Sequence, residues 1–458
     1  MKKKYIQIVL SITLIGSVYA CEDFLEVEIP KDQLDNNKVF QNEMTATAAV
    51  VNVYSLLRNN GFLSGNKEGI GYLMGCYTDE LKAVNNQDVN YRLFYNGTVL
   101  STNSAVKSLW NNTYQQIYAV NNILEGIENS NSLSPEFKNQ LNGEALAIRG
   151  MLHFYLAMTL GDVPYVNTTN YELNKKISKL KSEVVLENAV QDLLASESVI
   201  SENYVSIERV RLNKSAVQAL LARVYLYQKK WALAQEYAQE VINNTTYGLE
   251  SLDKTFLKES KSAIWQLLPD NQGKNTLEGS SYIFTAMPAK DVVITQELYD
   301  SFESNDLRKI HWFKSVGDSN VDNIHAFKYK ERGATGTTSK EYSIVLRIEE
   351  MYLIHAEAAA MLNDWTSCNQ MLNAIRNRAG LTNSELSDIN TAQTLIITER
   401  RKELFCEFGH RFYDLKRLQR WNELIISKPF WSSHFEKLPL PETELQLNPN
   451  LLPQNNGY

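Results

Sequence analysis

Residues 347–378 read RIEEMYLIHAEAAAMLNDWTSCNQMLNAIRNR. Met351, His355, Ala358 and Leu362 recur at helical spacing, and Trp365, Cys368, Leu372 and Ile375 do so after them. Residues 212–243 repeat the design. Ala216, Leu220 and Val224 share a helical face, Gln228-Lys229-Lys230 interrupt it, and Trp231, Ala234, Ala238 and Val241 resume it. The steps after each Trp are three, four and three residues, and a small residue (Ala356 or Ala222) stands nine before it. Small residues let two helices pack closely, and such a pair buries its apolar face only by stacking on neighbours.

The unit, about 34 residues long, resembles a tetratricopeptide repeat. Outward from the two copies, the same periodicity predicts helices over Thr45–Leu57, Leu109–Ile127, Phe137–Leu160, Val184–Ile200, Thr391–Phe408 and Tyr413–Leu424. The helix ending at Leu160 is stopped by Gly161-Asp162-Val163-Pro164. This amounts to roughly four hairpins, enough for a stacked scaffold. Residues 60–108 and 245–345 do not fit the pattern. They are rich in Gly, Asn, Ser, Thr and aromatics, with short β-like runs at Ala263–Leu267 and Ala326–Tyr329. Long irregular insertions beside a rigid scaffold usually carry function. The fold class expected is therefore mostly α, a helical-repeat scaffold with irregular and short-β insertions.

The chain begins Met1-Lys2-Lys3-Lys4, continues with an apolar stretch from Ile6 to Val18, and reaches Val18-Tyr19-Ala20-Cys21. A basic start, a short apolar core and a small residue before the cut make residues 1–20 a secretory signal peptide. The stretch is too short to span a bilayer. Cys21 directly after the small residue resembles a bacterial lipoprotein box, so Cys21 is the expected lipidation site and new N-terminus, and residues 21–458 the single mature domain. Lipidation would anchor the body without burying it in the membrane. The net charge of −7 becomes −10 once three lysines leave with the signal peptide. So acidic a chain lacks the basic footprint of a nucleic-acid binder. Cys76, Cys368 and Cys406 form no disulfide framework and no CxxC; buried free thiols are the reading for Cys368 and Cys406.

Five segments resemble the SusD/RagB family of outer-membrane nutrient-binding lipoproteins. They are Cys21-Glu22-Asp23-Phe24-Leu25-Glu26-Val27, the turn Gly161–Pro164, the late repeat Arg347–Gly380, the run Glu399–Arg417, and the C-terminal Leu438–Glu442 with Asn448–Leu451 and the final Gln454–Tyr458. Phe408 and Asn456 depart from the pattern. The resemblance implies a surface-exposed, lipid-anchored outer-membrane protein. Such a protein sits as a lid on a SusC-like TonB-dependent transporter and delivers oligosaccharides, or in some members peptides, to it. It implies no catalysis and no cofactor, with the helical repeats meeting the transporter and the insertions holding ligand.

The residues themselves agree with that. Glu399, Glu403 and Glu407 share a helix face, which could suggest a glycosidase. Arg400, Arg411, Asp414 and Arg417 lie among them, and that mixture reads as partly buried ion pairs. The six His show no metal-binding spacing, and no nucleophile elbow or phosphate loop is present. A surface glycoside hydrolase is the weaker rival, and a peptide-binding member of the family the stronger one. The aromatic–amide clusters are the better candidates for ligand contact. A sugar offers an apolar C–H face to an aromatic ring and a rim of hydroxyls to polar side chains. The candidates are Tyr72, Asp79, Asn90, Tyr91, Arg92, Tyr95, Tyr282 and Trp312, with Asn271, Phe284, Phe313 and Tyr329 in the same regions. Trp265, in an apolar run, reads as core. Which glycan binds is not encoded in any of these residues.

Overall fold

Asn42, Asn103, Asn213, Asp364 and Asp388 each accept a hydrogen bond from a backbone amide in the first turn of a following helix, satisfying donors that have no intrahelical partner. The structure, a computed structural model, describes residues 36–458 apart from 85, 86, 88 and 318–320. The signal peptide and Cys21 lie outside the described residues. The main helices are α1 (Glu43–Asn59), α2 (Ile70–Tyr77), α3 (Asn90–Asn96), α4 (Ser104–Asn129), α5 (Pro135–Leu160), α6 (Ser182–Glu197), α7 (Lys214–Tyr227), α8 (Trp231–Asn243), α9 (Leu277–Tyr282), α10 (Ile348–Met361), α11 (Trp365–Arg378), α12 (Ile389–Leu404) and α13 (His410–Leu418). The long helices expected from periodicity are all there, with ends shifted by a few residues. The last is shorter than expected, because the chain leaves α13 at Gln419 in a left-handed conformation and continues as a 3₁₀ turn over Trp421–Leu424.

The two hairpins match one another in detail. Trp231 and Trp365 each open the second helix of a pair. Lys229 and Asn363, two residues before each Trp, take positive φ of 58° and 60°. Ala222 and Ala356 are fully buried. The pairs stack in a row through α8 against α10, with α12 beyond α10 and α4, α5 and α6 before α7.

The insertions are held by short antiparallel ribbons rather than by a common sheet. β2 (Ala263–Leu267) pairs with β6 (Ser343–Arg347), and Trp265 is fully buried on it. β4 (Phe313–Ser315) pairs with β5 (Ile324–Ala326), so the β-like run expected at 326–329 begins as strand and then leaves it. β1 (Leu81–Ala83) pairs with β3 (Val292–Ile294), Leu81 opposite Ile294 and Ala83 opposite Val292. That ribbon joins the two insertions across more than two hundred residues of chain.

Glu399 and Glu403 share α12 as expected, but the helix ends at Leu404 and Glu407 lies in the turn after it; all three carboxylates are structural. Glu403 pairs with Arg308, Arg347 and Arg378; Glu399 with Arg308 and Arg376; Glu407 with Arg347 and Lys328. Their partners come from the insertions and the repeats, not from Arg400, Arg411 and Arg417 as the sequence order suggested. Those three pair with Asp414, Asp79, Glu423 and Glu357. Burial alone would raise the Glu403 carboxyl, but the three guanidiniums outweigh it and hold that carboxyl ionised. Carboxylates so encased have no open cleft in which to act on a substrate. The three described cysteines are buried and free.

Candidate functional site

The β1–β3 ribbon decides where a ligand site can form. Val84 extends it by donating to the Asp291 carbonyl at 2.9 Å. Just beyond, the Asp291 carboxylate accepts from Tyr91 Oη at 2.8 Å and pairs with Lys67 Nζ at 2.6 Å. One acidic side chain of the second insertion thus holds two residues of the first. Along this seam runs a groove of about 250 Å³ lined by Lys67, Tyr282, Phe284, Thr285, Asp291 and Arg332, with Lys290 at its edge.

Its walls are largely polar, and its rings are braced from behind. Phe284, half-buried, meets the edge of His325 at 4.9 Å. Burial and neighbouring lysines lower the pKa of that imidazole, so it packs as a neutral ring. Tyr282 stacks on Tyr72 at 5.3 Å, Tyr72 meets Tyr91 edge-on at 5.5 Å, and Tyr282 Oη donates to the Cys406 carbonyl. Burial pushes the Tyr72 hydroxyl far above its ordinary range. Arg332 is exposed and reaches Thr285 Oγ1 at 3.4 Å.

Helix α3 flanks the seam. Asn90 donates to Glu68 at 2.7 Å and accepts from Ser104. Arg92 and Tyr95 are half-buried. Lys428 Nζ lies 3.6 Å from the Tyr95 ring centroid and donates to the carbonyls of Cys76 and Tyr95 at 2.9 and 2.8 Å. Burial lowers the Lys428 ammonium to about 8, against the pull of nearby acidic groups.

The eight candidates therefore divide. Tyr72, Tyr91 and Tyr282 pack together, but only Tyr282 lines the groove; Tyr72 and Tyr91 are buried and support it rather than face a ligand. Asn90, Arg92 and Tyr95 stand on the flanking helix. Two more expectations need correcting. Trp312 is fully buried: its indole Nε1 donates to the Leu252 carbonyl at 3.2 Å and its ring lies against Phe256 and Lys328, so neither face is open to a sugar. Asp79 is 3% exposed and is taken up by Arg411 and Arg401. Burial would raise its carboxyl; the two guanidiniums hold it well below the usual range. Phe313 and Tyr329 are likewise buried. Lys67, Asp291 and Arg332 escaped sequence reasoning because a lysine, an aspartate and an arginine in loops carry no signal by type alone. Among the described residues, no group of His, Cys, Asp or Glu is arranged to hold a metal ion, and no helix is long and apolar enough to cross a membrane.

The comparison with known proteins gives this geometry its context. A family model described as starch-binding associating with outer membrane matches residues 23–226, and one described as the SusD family matches residues 321–430. The chain belongs to the SusD/RagB family. It is 27% identical to SusD-like protein P2 of Formosa agariphila over the whole of both chains. It is similar to a solved SusD superfamily protein of Bacteroides vulgatus, with a TM-score of 0.80 at 21% identity, covering 91% of this chain and 99% of that one. It is also similar to surface glycan-binding protein A of Bacteroides thetaiotaomicron, solved in complex with laminarihexaose, with a TM-score of 0.76 at 18% identity, covering 90% and 99%. The SusD/RagB family comprises non-catalytic, glycan-binding proteins associated with the outer membrane.

Proposed function

We propose that this SusD/RagB protein is a surface-exposed lipoprotein, anchored through Cys21, that binds an oligosaccharide in the seam groove and hands it to a TonB-dependent transporter of the SusC type. The observation that carries the reading is the convergence on Asp291. It ties Lys67 and Tyr91 of the first insertion to the second, and Lys67 lines the concave surface together with Tyr282, Phe284 and Arg332 of the second. A half-buried ring beside exposed cationic and hydroxyl groups suits a sugar's apolar face and hydroxyl rim. Asn90, Arg92 and Tyr95 would extend the site from α3, with Tyr91 as its buried support. Because one similar structure was solved with laminarihexaose, a β-linked glucan oligosaccharide is the first ligand to try.

Calorimetry with laminarihexaose, and affinity electrophoresis against a panel of soluble glycans, test this directly. Phe284→Ala and Arg332→Ala should each weaken binding of the recognised glycan by about tenfold while leaving the unfolding midpoint unchanged. Full affinity in both variants would remove the groove as the site. Retention of peptides and of no glycan would replace the sugar reading with peptide binding. Delivery is tested separately, by co-purification of a barrel protein with the lipidated chain and its loss when Cys21 is replaced.

A further inference from the structure

A second concave surface lies along α4 and shares no lining residue with the seam groove. It encloses about 620 Å³. One wall is a ladder of aromatics on α4: Trp110, Tyr114 and Tyr118, four residues apart. At 1.5 Å per residue they climb the helix in steps of about 6 Å. Trp110 and Tyr114 pack at 4.7 Å, and Tyr114 Oη is fixed by donating to the Pro164 carbonyl at 2.9 Å. Tyr118 is 51% exposed, and Tyr171 beyond it is 73% exposed. The opposite wall is rigid, since Asn448 and Asn450 donate to the carbonyls of Ile177 and Lys176 at 2.8 and 2.7 Å.

The segment 175–181, whose first two lysines line this surface, is basic in an acidic chain. Lys175, Lys176, Lys179 and Lys181 fall within seven residues in a protein whose net charge is −7. Lys175 pairs with Glu172, and Lys181 with Asp162. Lys179 donates to the Pro453 carbonyl, and Lys176, exposed at the lip, has no ion pair among the described residues. The lining carries one carboxylate, Glu444. The exposed rings of Tyr118 and Tyr171, above the packed Trp110 and Tyr114, stand beside Lys176, whose charge is not paired among the described residues, and suit a chain of rings that carry negative charge.

We infer that this groove is a second carbohydrate site, for an acidic sugar chain bearing carboxylate or sulfate groups. The tyrosines would stack on its rings and Lys176 and Lys175 would meet its charges. An anionic bilayer would also attract lysines and exposed apolar side chains, but a flat surface cannot follow an indented ladder of rings.

Affinity electrophoresis of the full chain against polygalacturonate, alginate, a sulfated galactan and neutral laminarin separates these cases. At least one acidic polymer should retard the protein, and the uronates and the galactan distinguish carboxylate from sulfate. Tyr118→Ala with Tyr171→Ala should weaken that retardation by about tenfold, and Lys176→Gln should reduce its salt dependence. Phe284→Ala in the seam groove should leave it unchanged. Three outcomes would overturn the assignment: no retardation by any acidic polymer, full retardation of the double tyrosine variant, or binding only to phosphatidylglycerol vesicles. None of them would touch the seam groove.

Discussion

Asp79 and Arg411, 332 positions apart in the chain, form a two-pronged ion pair, with guanidinium Nε and Nη2 donating to the two carboxylate oxygens at 2.9 and 2.8 Å. The pair fastens the middle of the first insertion to α13 and so to the scaffold. Removing one partner of a buried pair strands the other charge, which costs about 3–5 kcal/mol. Asp79→Asn should therefore lower the urea midpoint steeply, while glycan affinity of the molecules that remain folded stays near that of the parent. A selective loss of affinity with unchanged stability would return Asp79 to the ligand site.

Trp312 makes the complementary case. A fully buried indole with its N–H satisfied belongs to the packing of the second insertion. Trp312→Ala should cost about 3–5 kcal/mol of stability. Chemical denaturation is the check, since a ring that served only to bind sugar would leave the midpoint in place.

Glu278 sets a pH dependence. Burial pushes its carboxyl up to about 7, against a hydrogen bond from Ser343 that favours the ionised form. A folded-state pKa above the unfolded value of about 4.3 means that the folded chain keeps a proton the unfolded chain releases. This contribution to stability is complete below pH 4.3 and is lost as pH rises towards 7. Buried His153 and His410, lowered to about 3 and about 4, slope the other way below pH 6.5. The comparison to make is thus between parent and Glu278→Gln: the gap in unfolding midpoint should move in favour of the variant between pH 5 and pH 8. A constant gap would show that the carboxyl titrates normally.

The two hairpin turns offer a matched pair of substitutions. Lys229 and Asn363 hold the same left-handed conformation at the same place in the repeat, and both side chains are exposed. A residue with a Cβ pays for that conformation, asparagine least of the common ones. Lys229→Gly should stabilise by about 0.5–1 kcal/mol, net of the added freedom of the unfolded chain. Asn363→Gly should change little. Thermal unfolding of the two variants checks the ranking.

Much of the scaffold was legible because helical burial is periodic. Trp231 and Trp365, with the apolar positions three, seven and ten residues after each, mark one face without any knowledge of what covers it. The short ribbons were legible only in part. Ala263–Leu267 is apolar except for Gln266 and fully buried, whereas Leu81–Ala83 and Val292–Ile294 are three residues each, too short for a periodic signal. The aromatic clusters of the insertions were found by composition, but composition does not distinguish an inward ring from an outward one. Trp312 and Phe284 come from the same stretch and end up on opposite sides of that division.

By itself, then, the chain determined a stack of helix pairs with two irregular insertions, because the 3.6-residue period and the small residues at helix contacts act locally. Only the tertiary structure decided which loop residues meet. The encounter of Tyr91, Lys67 and Asp291 depends on pairing strands more than two hundred residues apart. The same holds for Glu403, whose partners Arg308, Arg347 and Arg378 lie outside the motif in which it sits. Contacts between distant segments are set by how rigid bodies pack against one another, and packing leaves no mark on the spacing of the residues involved.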